Sequence, residues 1–79
     1  MSKKDKQFYK LLYKKTLSSV EVVRLLELDG WYEDPDHPTN GSHYHLIHPT
    51  KKGMVTVPLG RKVLKKKTLD SILKSAGLI

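Results

Sequence analysis

The chain is predicted to be a small α+β domain of order α-β-β-β-α, a three-stranded antiparallel sheet with two helices on one face, and an extra N-terminal helix is weighed beside it. Three observations predict this: a capped apolar stretch over residues 19–29, a period-two hairpin over 42–58, and apolar positions at i, i+3, i+4 and i+7 over 69–76. Two apolar helical surfaces cover one side of such a sheet and leave the other bare. With 79 residues, 38% of them hydrophobic, the chain builds one core and one domain.

The elements follow in chain order. Phe8, Leu11 and Leu12 have helical spacing among lysines, so residues 4–15 are expected to form a short amphipathic helix whose docking the sequence leaves open. Ser18-Ser19-Val20-Glu21 reads as a capping box, with Leu17 and Val22 at the hydrophobic staple positions. Val20, Val22, Val23, Leu25, Leu26 and Leu28 then give a broad apolar surface over a helix at 19–29, and Gly30 ends it. Trp31-Tyr32-Glu33 is a short strand by aromatic content, and Asp34 to Gly41, with two prolines, is a loop.

Ser42 to His48 alternates as a strand, with His43, His45 and Ile47 on one face and Tyr44, Leu46 and His48 on the other. Pro49 to Gly53 turns the chain, and Met54 to Pro58 returns with Val55 and Val57 on one face. Gly60 to Lys67 is a basic connector. Thr68 is expected to cap a last helix that buries Leu69, Ile72, Leu73 and Ala76 and ends at Gly77. There is no internal repeat, and the chain divides into a basic segment, 1–15, and a domain, 16–79.

Composition removes whole classes of chemistry. Without cysteine there are no disulfides, thiolate nucleophiles or cysteine zinc sites. No apolar run approaches a membrane span, and the charged start lacks the apolar centre of a signal peptide, so a cytoplasmic protein is expected. The net charge of +7 is unevenly spread. Residues 1–15 carry six lysines, 16–37 hold six acids against Arg24, and 38–79 hold eight Lys or Arg against Asp70. The last stretch suits a polyanion such as nucleic acid, although basic charge alone equally describes a solvated surface.

Gly41-Ser42-His43 at the start of the second strand, His48-Pro49 at its end, Val55-Thr56-Val57-Pro58 in the third, and Thr68-Leu69-Asp70-Ser71-Ile72-Leu73-Lys74-Ser75-Ala76-Gly77-Leu78 resemble the HicA family. The match runs from about Val20 to Leu78 and preserves the order and spacing of these motifs. The resemblance implies a fold similar to double-stranded-RNA-binding domains, metal-independent endonucleolytic cleavage of mRNA without a cofactor, and a HicB-like antitoxin partner. The family's functional histidine, in Gly-Ser-His, falls on His43. Three departures stand out: a longer, acidic, Pro-rich Trp31 to Gly41 segment, Leu59-Gly60 where many relatives carry a His, and residues 1–15, which lie outside the match.

RNA cleavage needs a base for the 2′-OH, an acid for the leaving 5′ oxygen and positive charge at the phosphorus, and imidazole serves for either proton. By chemistry alone His43 is one strand histidine among several; the resemblance singles it out. His45, about 7 Å along the same face, is a candidate helper. RNA contacts are expected from Ser42, Lys51, Lys52, Arg61, Lys62, Lys65, Lys66 and Lys67. His48 is expected to pack or make a turn contact, His37 to be solvated, and most aromatic residues to be core. A metal on His43 and His45, completed by Asp34, Asp36 or His37, matches no zinc spacing, so no metal is assigned. Two other readings stay open: a non-catalytic RNA-binding module, and a protein-interaction domain facing an acidic antitoxin. The acidic stretch 27–36 is expected at the sheet edge away from the connector or against N-terminal lysines.

Overall fold

The computed structural model describes residues 5–79 and orders them as α1 (Lys6–Leu12), α2 (Ser19–Leu28), β1 (Tyr32–Glu33), β2 (His43–Ile47), β3 (Val55–Pro58) and α3 (Lys66–Ser75). The strands form one antiparallel sheet in the order β1-β2-β3. The predicted class and element order therefore hold. Helix α1 is shorter than the 4–15 stretch expected, and residue 4 of that stretch lies outside the described residues. Asp5 caps it by accepting from the Phe8 N–H, and Phe8 is buried where α1 packs on α2. The docking that the sequence left open is thus made by Phe8, with Leu11 and Leu12 packed against the same core.

Helix α2 carries the full capping box: Ser18 Oγ accepts from the Glu21 N–H, and Glu21 accepts from the Ser18 N–H. Val22, Leu25 and Leu26 are fully buried, but Val20 is 77% exposed. At 100° per residue Val20 lies about 160° from Val22, so it cannot join the same buried stripe. The end of α2 is built as tightly as its start. Gly30 has φ +105°, and a Cβ there would stand 2.9 Å from His48 Nε2. That nitrogen donates to the Asp29 carbonyl at 2.8 Å, while His48 Nδ1 accepts from the Thr50 and Lys51 N–H groups. Gly30→Ala is therefore expected to destabilise the domain by about 2 kcal/mol, read as a lowered urea midpoint.

The register sorts the two sheet faces. Leu46 pairs with Val55 and Tyr44 with Val57, and these side chains point to the helices, where Leu46, Val55 and Val57 are buried beside residues of α2 and α3. Trp31 leaves the strand it was expected to start and instead plugs the core, 2% exposed, with its Nε1 donating to Asp29 and its ring edge-on to His48. Phe8 and Trp31 are the buried rings; Tyr9, Tyr13 and Tyr32 are exposed and Tyr44 is half-buried, so fewer aromatics are core than expected.

Thr68 is not the cap of α3. The helix begins two residues earlier, with Lys65 at the cap position and no side-chain capping bond. Long-range bonds decide this. Buried Ser19 donates through Oγ to the Pro58 carbonyl and accepts from the Arg61 N–H, the Ser19 N–H reaches the Arg61 carbonyl, and the Leu64 N–H reaches that of Leu17. The connector is stitched to the start of α2, Leu64 is buried, and the chain enters α3 directly behind it. Leu69, Ile72, Leu73 and Ala76 are buried as predicted, and Gly77 has φ +71°.

Candidate active site

Residues paired across strands share a face, so the register also maps the side of the sheet turned away from the helices. His43 lies opposite Pro58, His45 opposite Thr56, and Tyr32 opposite Ile47. The Asp34 N–H donates to the His45 carbonyl at 2.9 Å and carries the β1–β2 pairing one residue further. The middle row of this face is therefore Asp34, His45 and Thr56, with His43 and Pro58 at one end and Tyr32 and Ile47 at the other.

His43 is exposed at the head of β2. Gly41 turns the chain into the strand with φ +87°; no atom lies within 4 Å of where its Cβ would stand, so backbone conformation alone makes the demand. Ser42 is then pinned, its carbonyl accepting from the Leu59 N–H at 2.8 Å and its Oγ lying 3.1 Å from His43 Nδ1. The imidazole is thus open to solvent on a backbone held by β3.

His45 is half-buried, with Nδ1 2.9 Å from Thr56 Oγ1. His37, expected to be merely solvated, is not. Its Nδ1 stands 2.8 Å from Asp34 Oδ2, its N–H donates to the Asp34 carbonyl, and its ring meets that of His45 edge-on with centroids 6.1 Å apart. Asp34 is itself buried and accepts from the Asp36 N–H. The Asp36 N–H first, and then His37, hold the Asp34 carboxyl below its ordinary value. A carboxyl lowered by folding stabilises the fold above its ordinary range, and that contribution is lost as pH falls through the lowered value. Acidification below about pH 4 should therefore reduce stability less in Asp34→Asn than in the unaltered chain, checked by urea unfolding across that range.

The expected cations divide into two groups. Arg61 and Lys65 line, with Pro58 and Thr68, a notch of about 250 Å³ at the end of β3 that pairs with His43, and Lys62 is exposed on the connector between them. Lys66 and Lys67 are exposed on the first turn of α3, Lys66 paired with Asp70 at 3.2 Å. Lys51 and Lys52 sit in the turn after β2, at the opposite end of the sheet from His43. Lys51 also has a structural task, since its Nζ is 2.6 Å from buried Asp29 Oδ2 and 2.8 Å from the Ala76 carbonyl at the negative end of α3. Lys52 is exposed.

The acidic stretch 27–36 has its β1 part where it was expected, at the sheet edge remote from the connector. Asp34 is the exception, because it belongs to the open face. Sequence reasoning missed the Asp34–His37 pair and Thr56, although Asp34-Pro35-Asp36-His37 has the signature of an Asx turn that brings residue i+3 back onto the Asp. Among the described residues no three His, Asp or Glu side chains are grouped so that they could hold a metal ion, and no helix is long and apolar enough to cross a membrane.

The fold and this face define a small α+β domain whose exposed chemistry is imidazole, with cations at one margin. The family model of the HicA toxin of bacterial toxin–antitoxin systems matches residues 19–78, and the chain belongs to that family. It is the toxin type of such a system, a family that works opposite an antitoxin. No curated protein matches the chain.

Proposed function

We propose that this toxin is a metal-independent endoribonuclease that cuts mRNA with His43 as its general base and is neutralised by a HicB-like antitoxin. The observation that carries the reading is His43 itself, an exposed imidazole on a pinned backbone, at the same end of the sheet as Arg61, Lys62 and Lys65. His43 takes the proton of a ribose 2′-OH, O2′ attacks the adjacent phosphorus, and the bond to O5′ breaks, leaving a 2′,3′-cyclic phosphate and a 5′-hydroxyl. Ser42 and the nearby cations bind the phosphate and offset the charge that builds on its oxygens, as do Lys66 and Lys67 further along the strand of RNA. His45 lines the same face beside His43 as a helper.

A groove of about 510 Å³ supports the antitoxin half of the reading. Val20, Val23, Tyr44 and Leu59 form its apolar walls and Arg24, Glu27 and Glu33 its polar rim. Tyr44 points to the helix side of the sheet and the Leu59 N–H bonds the Ser42 carbonyl, so a partner seated there borders the backbone that carries His43, from the side of the sheet opposite its ring. The test is incubation of purified protein with mRNA in EDTA. Cleavage to fragments with 5′-hydroxyl ends that stops on adding the antitoxin is expected; intact RNA after prolonged incubation would reject the enzyme in favour of a binding module.

A further inference from the structure

The reaction needs a proton for the departing O5′, and the base that removed the 2′ proton lies on the wrong side of phosphorus to return it in the same step. We propose that His37 is this second catalytic group, the acid at O5′, with Asp34 as its positioning residue; the assignment rests on the ribonuclease reading of His43. The loop from Asp34 to Ser42 leaves the sheet opposite His45 and returns at His43, so His37 belongs to the His43 end of the open face. Its ring is 6.1 Å from that of His45, and His43 is one strand repeat, about 7 Å, from His45 on the same side.

His37 is better built for proton donation than His45. An ionised carboxylate only accepts, so Asp34 Oδ2 takes the Nδ1–H of His37 and leaves Nε2 as the nitrogen that exchanges the proton, which it donates from the imidazolium form. The His37 side chain is 58% exposed while that of Asp34 is 10% exposed, an anchored ring with a free working edge. The second bond, from the His37 N–H to the Asp34 carbonyl, fixes the backbone under that ring. His45 is half-buried, and its Nδ1 partner is the Thr56 hydroxyl, which donates or accepts and so selects neither tautomer. In the step, the 2′ proton passes to His43, the O2′–P bond forms as the P–O5′ bond breaks, and the Nε2 proton of His37 passes to O5′. Solvent then restores both rings.

A leaving-group substitution tests this. Two oligonucleotides carry a single ribonucleotide at a linkage the wild-type protein cuts, one with the normal O5′ and one with sulfur at that bridging position, which departs without protonation. His37→Ala is expected to cleave the oxygen substrate at least about 100-fold more slowly than wild type and the sulfur substrate at close to the wild-type rate. His37→Gln, which keeps an amide donor for Asp34 but no transferable proton, should behave the same way. Asp34→Asn should show a smaller loss with the same recovery on sulfur, and His43→Ala should be slow on both substrates. An equal loss on both substrates, or no loss on either, in the His37 variants would overturn the assignment while leaving His43 in place. A wild-type protein inert toward both would remove the ribonuclease reading itself.

Discussion

Replacing His43 by Ala is expected to lower the rate of RNA cleavage by about 10²- to 10⁴-fold, the range that a positioned acid or base supplies, and to abolish growth arrest when the toxin is expressed without antitoxin. The substitution removes the exposed imidazole at the head of β2, opposite Pro58. Its sole side-chain hydrogen bond given by the structure, to Ser42 Oγ, lies on the surface, so the fold should change by less than about 0.5 kcal/mol. Loss of cleavage with an unchanged urea midpoint separates chemistry from folding. His48→Ala supplies the contrast, because that ring accepts and donates within the α2 terminus and its loss should act on stability instead. Retained cleavage by His43→Ala would sink the mechanism.

Trp31→Ala should have the largest effect on folding. The ring is 2% exposed, its Nε1 donates to Asp29, and it meets His48 edge-on. A buried Trp truncated to Ala costs about 3–5 kcal/mol through lost burial and the cavity left behind. A domain of this size holds only about 4–12 kcal/mol in total, so the variant is expected to be largely unfolded at 37 °C. Trp31→Phe keeps most of the volume, loses one hydrogen bond, and should cost about half as much or less. Far-UV circular dichroism is the suitable readout, since Trp31 is the single tryptophan and its fluorescence disappears with it. A folded, cooperative Trp31→Ala would show that the α2 terminus is not part of the core.

Local patterns were legible wherever a few neighbouring residues decide the outcome. The capping box of α2, the alternation in β2 and β3, and the 69–76 stripe all rest on contacts between residues one to four apart, or on which side of a strand a residue falls. Val20 and Thr68 were misplaced for an instructive reason. Each has the right residue type for its expected role, but helix phase turns Val20 outward and the bonds from Ser19 and Leu17 to the connector start α3 before Thr68 is reached.

By itself the sequence determined the element order and the two helix faces that make the core, and its resemblance to the family singled out His43 as the candidate for the chemistry. Only the tertiary structure decided which charged groups stand near that residue. Lys51 and Arg61 looked alike in sequence, yet strand direction sends one to the far end of the sheet, onto Asp29 and Ala76, and leaves the other in a notch with Pro58, the strand partner of His43. His37 looked idle until register placed Asp34 opposite His45 and the loop turned His37 back onto both. Hydrogen-bond patterns inside one element are set by adjacent residues, whereas the partners of a side chain across a sheet are set by strand order and register, which no short stretch of sequence contains.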